Sequence, residues 1–196
     1  MNIHPLMIFI AAIFTHNLAF SYILGMCPLI AISSNLKTAF GMSISVIFVV
    51  VMTALINWPI YYLILIPTGS EIVAYIIFII TIAASVQLVE MILERFFPAL
   101  QSAFGIFLPL ITVNCIVLAV SLFVVLRNYN FLQTIFFALG SAVGWSLGII
   151  TIAAIREKLL LIGDIPKGLK GAGIVLIIAG IISLAFMGFA GMVKIQ

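Results

Sequence analysis

Residues 39–66 read AFGMSISVIFVVVMTALINWPIYYLILI, with no Asp, Glu, Lys or Arg among them. A bilayer core of about 30 Å is crossed by a helix of about 20 apolar residues, so this stretch reads as a transmembrane helix. Five further stretches pass the same test: residues 5–33, 72–93, 104–126, 131–155 and 171–193. The connections between them are short and polar, at Ser34-Asn35-Leu36-Lys37, Pro67-Thr68-Gly69-Ser70-Glu71, Glu94-Arg95 with Pro98, Arg127-Asn128-Tyr129-Asn130, and Arg156 to Lys170. None has room for a second domain. The chain is therefore expected to be a single all-α integral membrane domain of six spans over residues 1–196.

Composition agrees. Of 196 residues, 66% are hydrophobic and 7% charged, whereas a soluble domain is nearer half apolar and a quarter charged. That excludes a soluble globular protein, a nucleic-acid binder and a disordered chain. The net charge of +3 sits at span ends, where basic residues mark the cytoplasmic side. With the N-terminus outside, Lys37, Arg95, Arg156, Lys158, Lys167 and Lys170 fall inside, and Arg127 and Lys194 outside. The expected topology is N-out and C-out in a prokaryotic cell membrane. His4 and Pro5 open the first apolar run without a basic leader, so that run is expected to stay as a span. Trp58, Tyr61 and Tyr62 suit an interfacial aromatic belt at the outer end of the second span.

The chain resembles itself at half its length. Thr15-His16-Asn17 matches Thr112-Val113-Asn114 at an offset of 97, and Ile66-Pro67-Thr68-Gly69 matches Ile165-Pro166-Lys167-Gly168 at 99. The halves, residues 1–98 and 99–196, would hold three spans each. Three is odd, so the second half enters the membrane from the opposite face, as an inverted repeat whose functional sites lie at the interface of the halves. Such sites are built from broken helices. Gly25-Met26-Cys27-Pro28 and Gly105-Ile106-Phe107-Leu108-Pro109 carry the flexible glycine and the proline lacking an N–H that a break requires, so the first helix of each half is expected to be broken. A plain proline kink is the alternative at each place.

Two cysteines, Cys27 and Cys115, lie one in each half near these breaks. Three readings compete. Free cysteine is a common small apolar core residue; a disulfide is possible, with nothing in the sequence to place the pair at bonding distance; and the two thiols could ligate metal. An iron–sulfur cluster usually takes four thiolates. One chain offers two, so a second copy or a relative would have to provide the rest, with half-helix N–H groups offsetting the charge on sulfur.

Longer motifs decide among these. Leu24-Gly25-Met26-Cys27-Pro28, Gly105 through Cys115 (GIFLPLITVNC), Ala154-Ile155-Arg156-Glu157-Lys158-Leu159 with Asp164-Ile165-Pro166, and Leu184-Ala185-Phe186-Met187-Gly188-Phe189-Ala190-Gly191 resemble the NqrD/NqrE/RnfA/RnfE family over nearly the whole chain. The resemblance implies a six-span subunit of an ion-pumping redox complex. It implies a [2Fe–2S] cluster held in the membrane between two paralogous subunits of opposite orientation, with Cys27 and Cys115 as this chain's half of the ligands. The implied partners are an RnfE/NqrD-like subunit and the flavin-carrying and iron–sulfur subunits of the complex, within the lipid bilayer. The N-out topology matches the RnfA/NqrE branch. Cys27-Pro28, Asn130-Phe131-Leu132-Gln133, the short connection at Pro67–Glu71 and the ending from Phe186 to Lys194 resemble RnfA; Thr112-Val113-Asn114-Cys115, Arg127-Asn128-Tyr129-Asn130 and Gly144-Trp145 lean toward NqrE. The balance favours the Rnf-type ferredoxin:NAD oxidoreductase, with the E subunit of a sodium-translocating NADH:quinone oxidoreductase as the alternative. The chain reads as an electron-conducting subunit that does not turn over alone and carries no catalytic acid or base.

Other polar residues gain candidate roles. Gly25, Pro28, Asn17, Pro109 and Asn114 belong to the expected cluster environment, the asparagines as caps of broken backbone or as hydrogen-bond donors. Glu90, in Gln87-Leu88-Val89-Glu90-Met91, is an acid inside a span and a candidate for ion coupling. His16 reads as hydrogen-bonded within the bundle. Arg156-Glu157-Lys158 reads as interfacial snorkelling. Gly140, Gly144 and Gly148, spaced by four, read as a close helix-packing face. Two rivals stand beside this account: a small secondary transporter with incidental cysteines, and a structural scaffold for other redox subunits.

Overall fold

The computed structural model describes residues 4–33, 35–68, 71–96, 111, 114–162 and 171–190. Among them the regular structure is entirely helical: α1 (Pro5–Ile13), α2 (Leu18–Ser21), α3 (Met26–Ile32), α4 (Leu36–Ile60), a π-helical turn (Tyr61–Leu65), α5 (Ile66–Thr68), α6 (Glu71–Phe96), α7 (Cys115–Leu126), α8 (Phe131–Ile162) and α9 (Ala172–Ala190). Two helices are clearly long and apolar enough to cross a membrane, Leu36–Leu65 and Phe131–Leu161. At 1.5 Å per residue each exceeds the hydrocarbon thickness. The break expected at Gly105–Pro109 and the repeat landmark at 165–168 lie outside the described residues.

The centre of the bundle is the seam between α4 and α8. Ala39, Met42, Val46 and Val49 are buried on α4, and Ala138, Ala142, Trp145, Ile149 and Ile152 on α8. Both sets advance in steps of three and four, which keeps one stripe of each helix facing its neighbour. The opposite stripe of α4, Phe40, Ile44, Phe48, Met52 and Ile56, is exposed and as apolar as the core. Such a face suits hydrocarbon rather than water. In α8 the glycines do what their spacing predicted. A Cβ on Gly140 would lie 2.7 Å from the Phe9 carbonyl oxygen, and one on Gly148 would lie 3.0 Å from the Phe20 ring. Their bare backbone is what lets α1 and α2 seat on α8.

The first apolar stretch departs most from a plain span. It is interrupted twice, at residues 14–17 and 22–25, where sequence reading placed one break. Asn17 causes the first interruption. Its Oδ1 accepts the Ala19 N–H at 3.0 Å, starting α2, while its Nδ2 donates to the carbonyls of Ile13 and Gly144 at 3.1 Å each. A side chain that offers the backbone these alternatives competes successfully with helix continuation. The second interruption passes through Ile23 at φ 56° and Gly25 at φ 79°. Left-handed backbone is strained for a β-branched residue and free for glycine. Pro28 occupies the third position of α3, where its missing N–H would have had no helical partner in any case.

Contacts distant in sequence fix the two ends of the bundle. At one end Trp58 donates its indole N–H to the Tyr129 carbonyl at 3.0 Å and packs against the rings of Tyr62 and Phe131, so the end of α4 meets the connection between α7 and α8. The π turn that follows lies between Pro59 and Pro67, whose absent N–H groups disfavour regular helix on both sides. At the other end Arg156 donates to Ser33 Oγ at 2.9 Å and reaches the Ile30 carbonyl. The side chain read as snorkelling also closes the C-terminus of α3, where unpaired helix carbonyls favour a cation. α8 runs to Ile162, beyond the expected end at 155, because Arg156-Glu157-Lys158 are good helix formers and continue it.

Candidate cysteine site

Cys115 is the first residue of α7 and Cys27 the second of α3, so each sits in the opening turn of a helix. Both are free thiols, Cys27 exposed and Cys115 half-buried. Asn114 starts α7 as Asn17 starts α2. Each accepts a hydrogen bond from the amide two residues on, with backbone angles of −71°, 112° and −66°, 109°. The two positions matched at an offset of 97 thus form the same turn.

Gly25 joins the two cysteine-bearing segments. Its N–H donates to Cys115 Sγ at 3.2 Å, and its carbonyl accepts the Trp145 indole N–H at 3.2 Å. Only glycine serves here. The residue is left-handed, and a Cβ would collide with Trp145 Nε1 and come within 3.2 Å of Asn114 Oδ1. Trp145 is fully buried, and Ile116 beneath Cys115 is too. Among the described residues the buried Asn114 Nδ2 has no hydrogen-bond partner, which leaves a donor unspent immediately beside Cys115.

The structure therefore brings together Gly25, Cys115 and Asn114 of the expected residues. It keeps Cys27 and Pro28 on the adjoining turn, and it adds Trp145, which sequence reading treats only as a branch marker. Asn17 lies at the neighbouring interruption, held to Gly144. Pro109 lies outside the described residues. Glu90 belongs to α6, a helix that packs on α4 and α7, and no described hydrogen bond joins it to either cysteine. Among the described residues no group of three or more His, Cys, Asp or Glu side chains gathers to hold a metal ion. Cys115, accepting an amide hydrogen bond beside an unspent donor, and Cys27 on the adjoining turn offer two thiols where a thiolate-ligated site takes four. They do not make a whole one.

Two helices long and apolar enough to cross a bilayer, with an outer face as apolar as the core, define a membrane-embedded protein. Residues 6–193 match the family described as Rnf-Nqr subunit, membrane protein, and the chain belongs to that family. It is 46% identical over 194 residues to the E subunit of the Na(+)-translocating NADH-quinone reductase of Idiomarina loihiensis, covering 94% of this chain and 96% of the relative. It is 42% identical over 198 residues to the corresponding protein of Psychromonas ingrahamii, covering 96% and 98%. It is 45% identical over 194 residues to that of Glaesserella parasuis, again covering 96% and 98%. The chain is a membrane-embedded component of a multi-subunit complex of the Nqr/Rnf type. These relatives favour the reductase alternative over the Rnf reading that the short motifs suggested.

Proposed function

We propose that this chain is the E-type subunit of a sodium-translocating NADH:quinone oxidoreductase, and that Cys27 and Cys115 hold one side of a [2Fe–2S] cluster shared with a paralogous, inversely oriented subunit. The observation that carries the assignment to the reductase is identity of 42–46% to proteins of that name along essentially the full length of both chains. The cysteine assignment rests on the residue-by-residue resemblance and on a donor set that suits half a site. Bound there, such a cluster supplies one-electron transfer within the membrane.

The protein's own part is placement. Asn114 and Gly25 start the helices that present the two sulfurs. The Gly25 amide stabilises negative charge on Cys115 Sγ, where an uncompensated thiolate in a low-dielectric region would be costly. Trp145 and Ile116 exclude water from the inner side, and the exposure of Cys27 leaves the outer side open to a second subunit. In this reading the six spans form two inverted halves with both termini outside the cell membrane. The aromatic cluster at Trp58 then marks the outer end and Arg156 the inner one.

The test of the assignment is the activity of the complex that contains this chain. Purified from native membranes through a tag on this protein, it should reduce quinone with NADH at a rate that rises severalfold on adding sodium. Ferredoxin-dependent reduction of NAD, with no sodium-stimulated quinone reduction, would assign the chain to an Rnf complex instead.

A further inference from the structure

We propose that Trp145 is the positioning residue of the cysteine site, its indole N–H locking Gly25 so that the Gly25 amide stays on Cys115 Sγ. The inference rests on the half-cluster reading above and concerns a residue to which neither the motifs nor the relatives' names give a role at the cysteines. Three observations carry it. Trp145 has no solvent exposure, so its N–H must find a partner inside the bundle, and the Gly25 carbonyl is that partner at 3.2 Å. Gly25 is the most permissive residue type, at φ 79° and ψ 25°, and nothing intrinsic holds it there. It is pinned from both flanks, by the indole on its carbonyl and by the sulfur on its amide. Releasing the carbonyl frees ψ and with it the peptide that begins α3, two residues before Cys27.

The consequence is electrostatic. A hydrogen bond to a ligating sulfur favours the reduced, more negative state, so it raises the reduction potential. The Trp145 indole N–H is spent on the Gly25 carbonyl and not on sulfur. It acts by keeping the amide directed at Cys115.

Two substitutions separate the N–H from the ring. Trp145→Phe keeps an aromatic ring and loses the donor. Trp145→Gln loses the ring and keeps an N–H the same number of bonds from the backbone. The measurement is a redox titration, in the intact complex, of the paramagnetic [2Fe–2S] signal that Cys115→Ser removes. Trp145→Phe should retain the signal with its reduction equilibrium shifted about tenfold toward the oxidised form, about 59 mV for one electron. Trp145→Gln should stay near the wild-type potential. An unchanged potential in Trp145→Phe would overturn the inference. So would a shift common to both variants, or failure of both to assemble, because ring bulk and not the N–H would then hold the site. Absence of any Cys115-dependent signal from the wild-type complex would instead overturn the cluster reading itself, whatever the Trp145 variants did.

Discussion

Replacing either cysteine with serine is expected to reduce electron transfer through the complex to background while leaving its assembly intact. The reasoning is chemical. Serine is nearly isosteric but presents a hydroxyl that stays protonated, in place of a soft thiolate that binds iron. Loss of an outer-shell partner typically weakens a metal site by roughly 10–100-fold, and loss of a ligand from a four-thiolate set should exceed that. Cys27 and Cys115 would act as one unit, so each single variant should be as inactive as the double variant. The check is sodium-stimulated quinone reduction by the three purified complexes, beside a comparison of subunit content. Cys27 is exposed and Cys115 half-buried, so the nearly isosteric serine opens no core cavity at either place. A purely structural scaffold or a secondary transporter with incidental cysteines predicts full electron transfer in all three variants.

The second large effect is expected at Gly25. Gly25→Ala places a Cβ on left-handed backbone and drives it into Trp145 Nε1. The backbone penalty is about 1–2 kcal/mol. Displacing the indole also strands its buried N–H and the Gly25 carbonyl, each worth about 1–3 kcal/mol when left unpaired. A loss on the order of 3 kcal/mol would shift the folding equilibrium by about a hundredfold. The expected result is a lower thermal midpoint of the purified complex and poor recovery of this protein from membranes. Gly173→Ala is the matched control. A Cβ there meets nothing within 4 Å and φ is ordinary, so stability should be unchanged or slightly raised. Equal behaviour of the two variants would show that the Gly25 turn does not constrain the fold.

These predictions depend on residues of unequal legibility. The long helices were readable because a charge-free run such as residues 39–66 has few alternatives in water or lipid. Asn17 and Asn114 were readable as caps because their side chains act on backbone two residues away, a local effect visible in the sequence. The glycine stripe at Gly140, Gly144 and Gly148 was readable from its spacing. The partners of these residues were not. Trp145 meets Gly25 across 120 positions, and Arg156 meets Ser33 across 123. An indole in an apolar helix looks like core, and a terminal arginine looks like a snorkelling side chain, until the fold brings a bare carbonyl or a buried hydroxyl to each. The first interruption of the opening stretch was half legible. Asn17 announced a cap, but the bond from its amide to Gly144 depends on α8 lying alongside. The choice of complex was legible only in part: a few short motifs near Cys27 and Phe186 point to Rnf, whereas similarity spread along the whole chain, visible only in comparison with relatives, favours the reductase alternative.

The central claim is that Cys27 and Cys115 are half of one cluster, and iron decides it most directly. Iron per complex, with the low-temperature electron paramagnetic resonance spectrum of the reduced sample, should be measured in wild type and in Cys27→Ser and Cys115→Ser. The account predicts that each variant loses the two irons and the signal of one [2Fe–2S] cluster while every other iron–sulfur signal persists. An iron content and spectrum unchanged by both substitutions would contradict it.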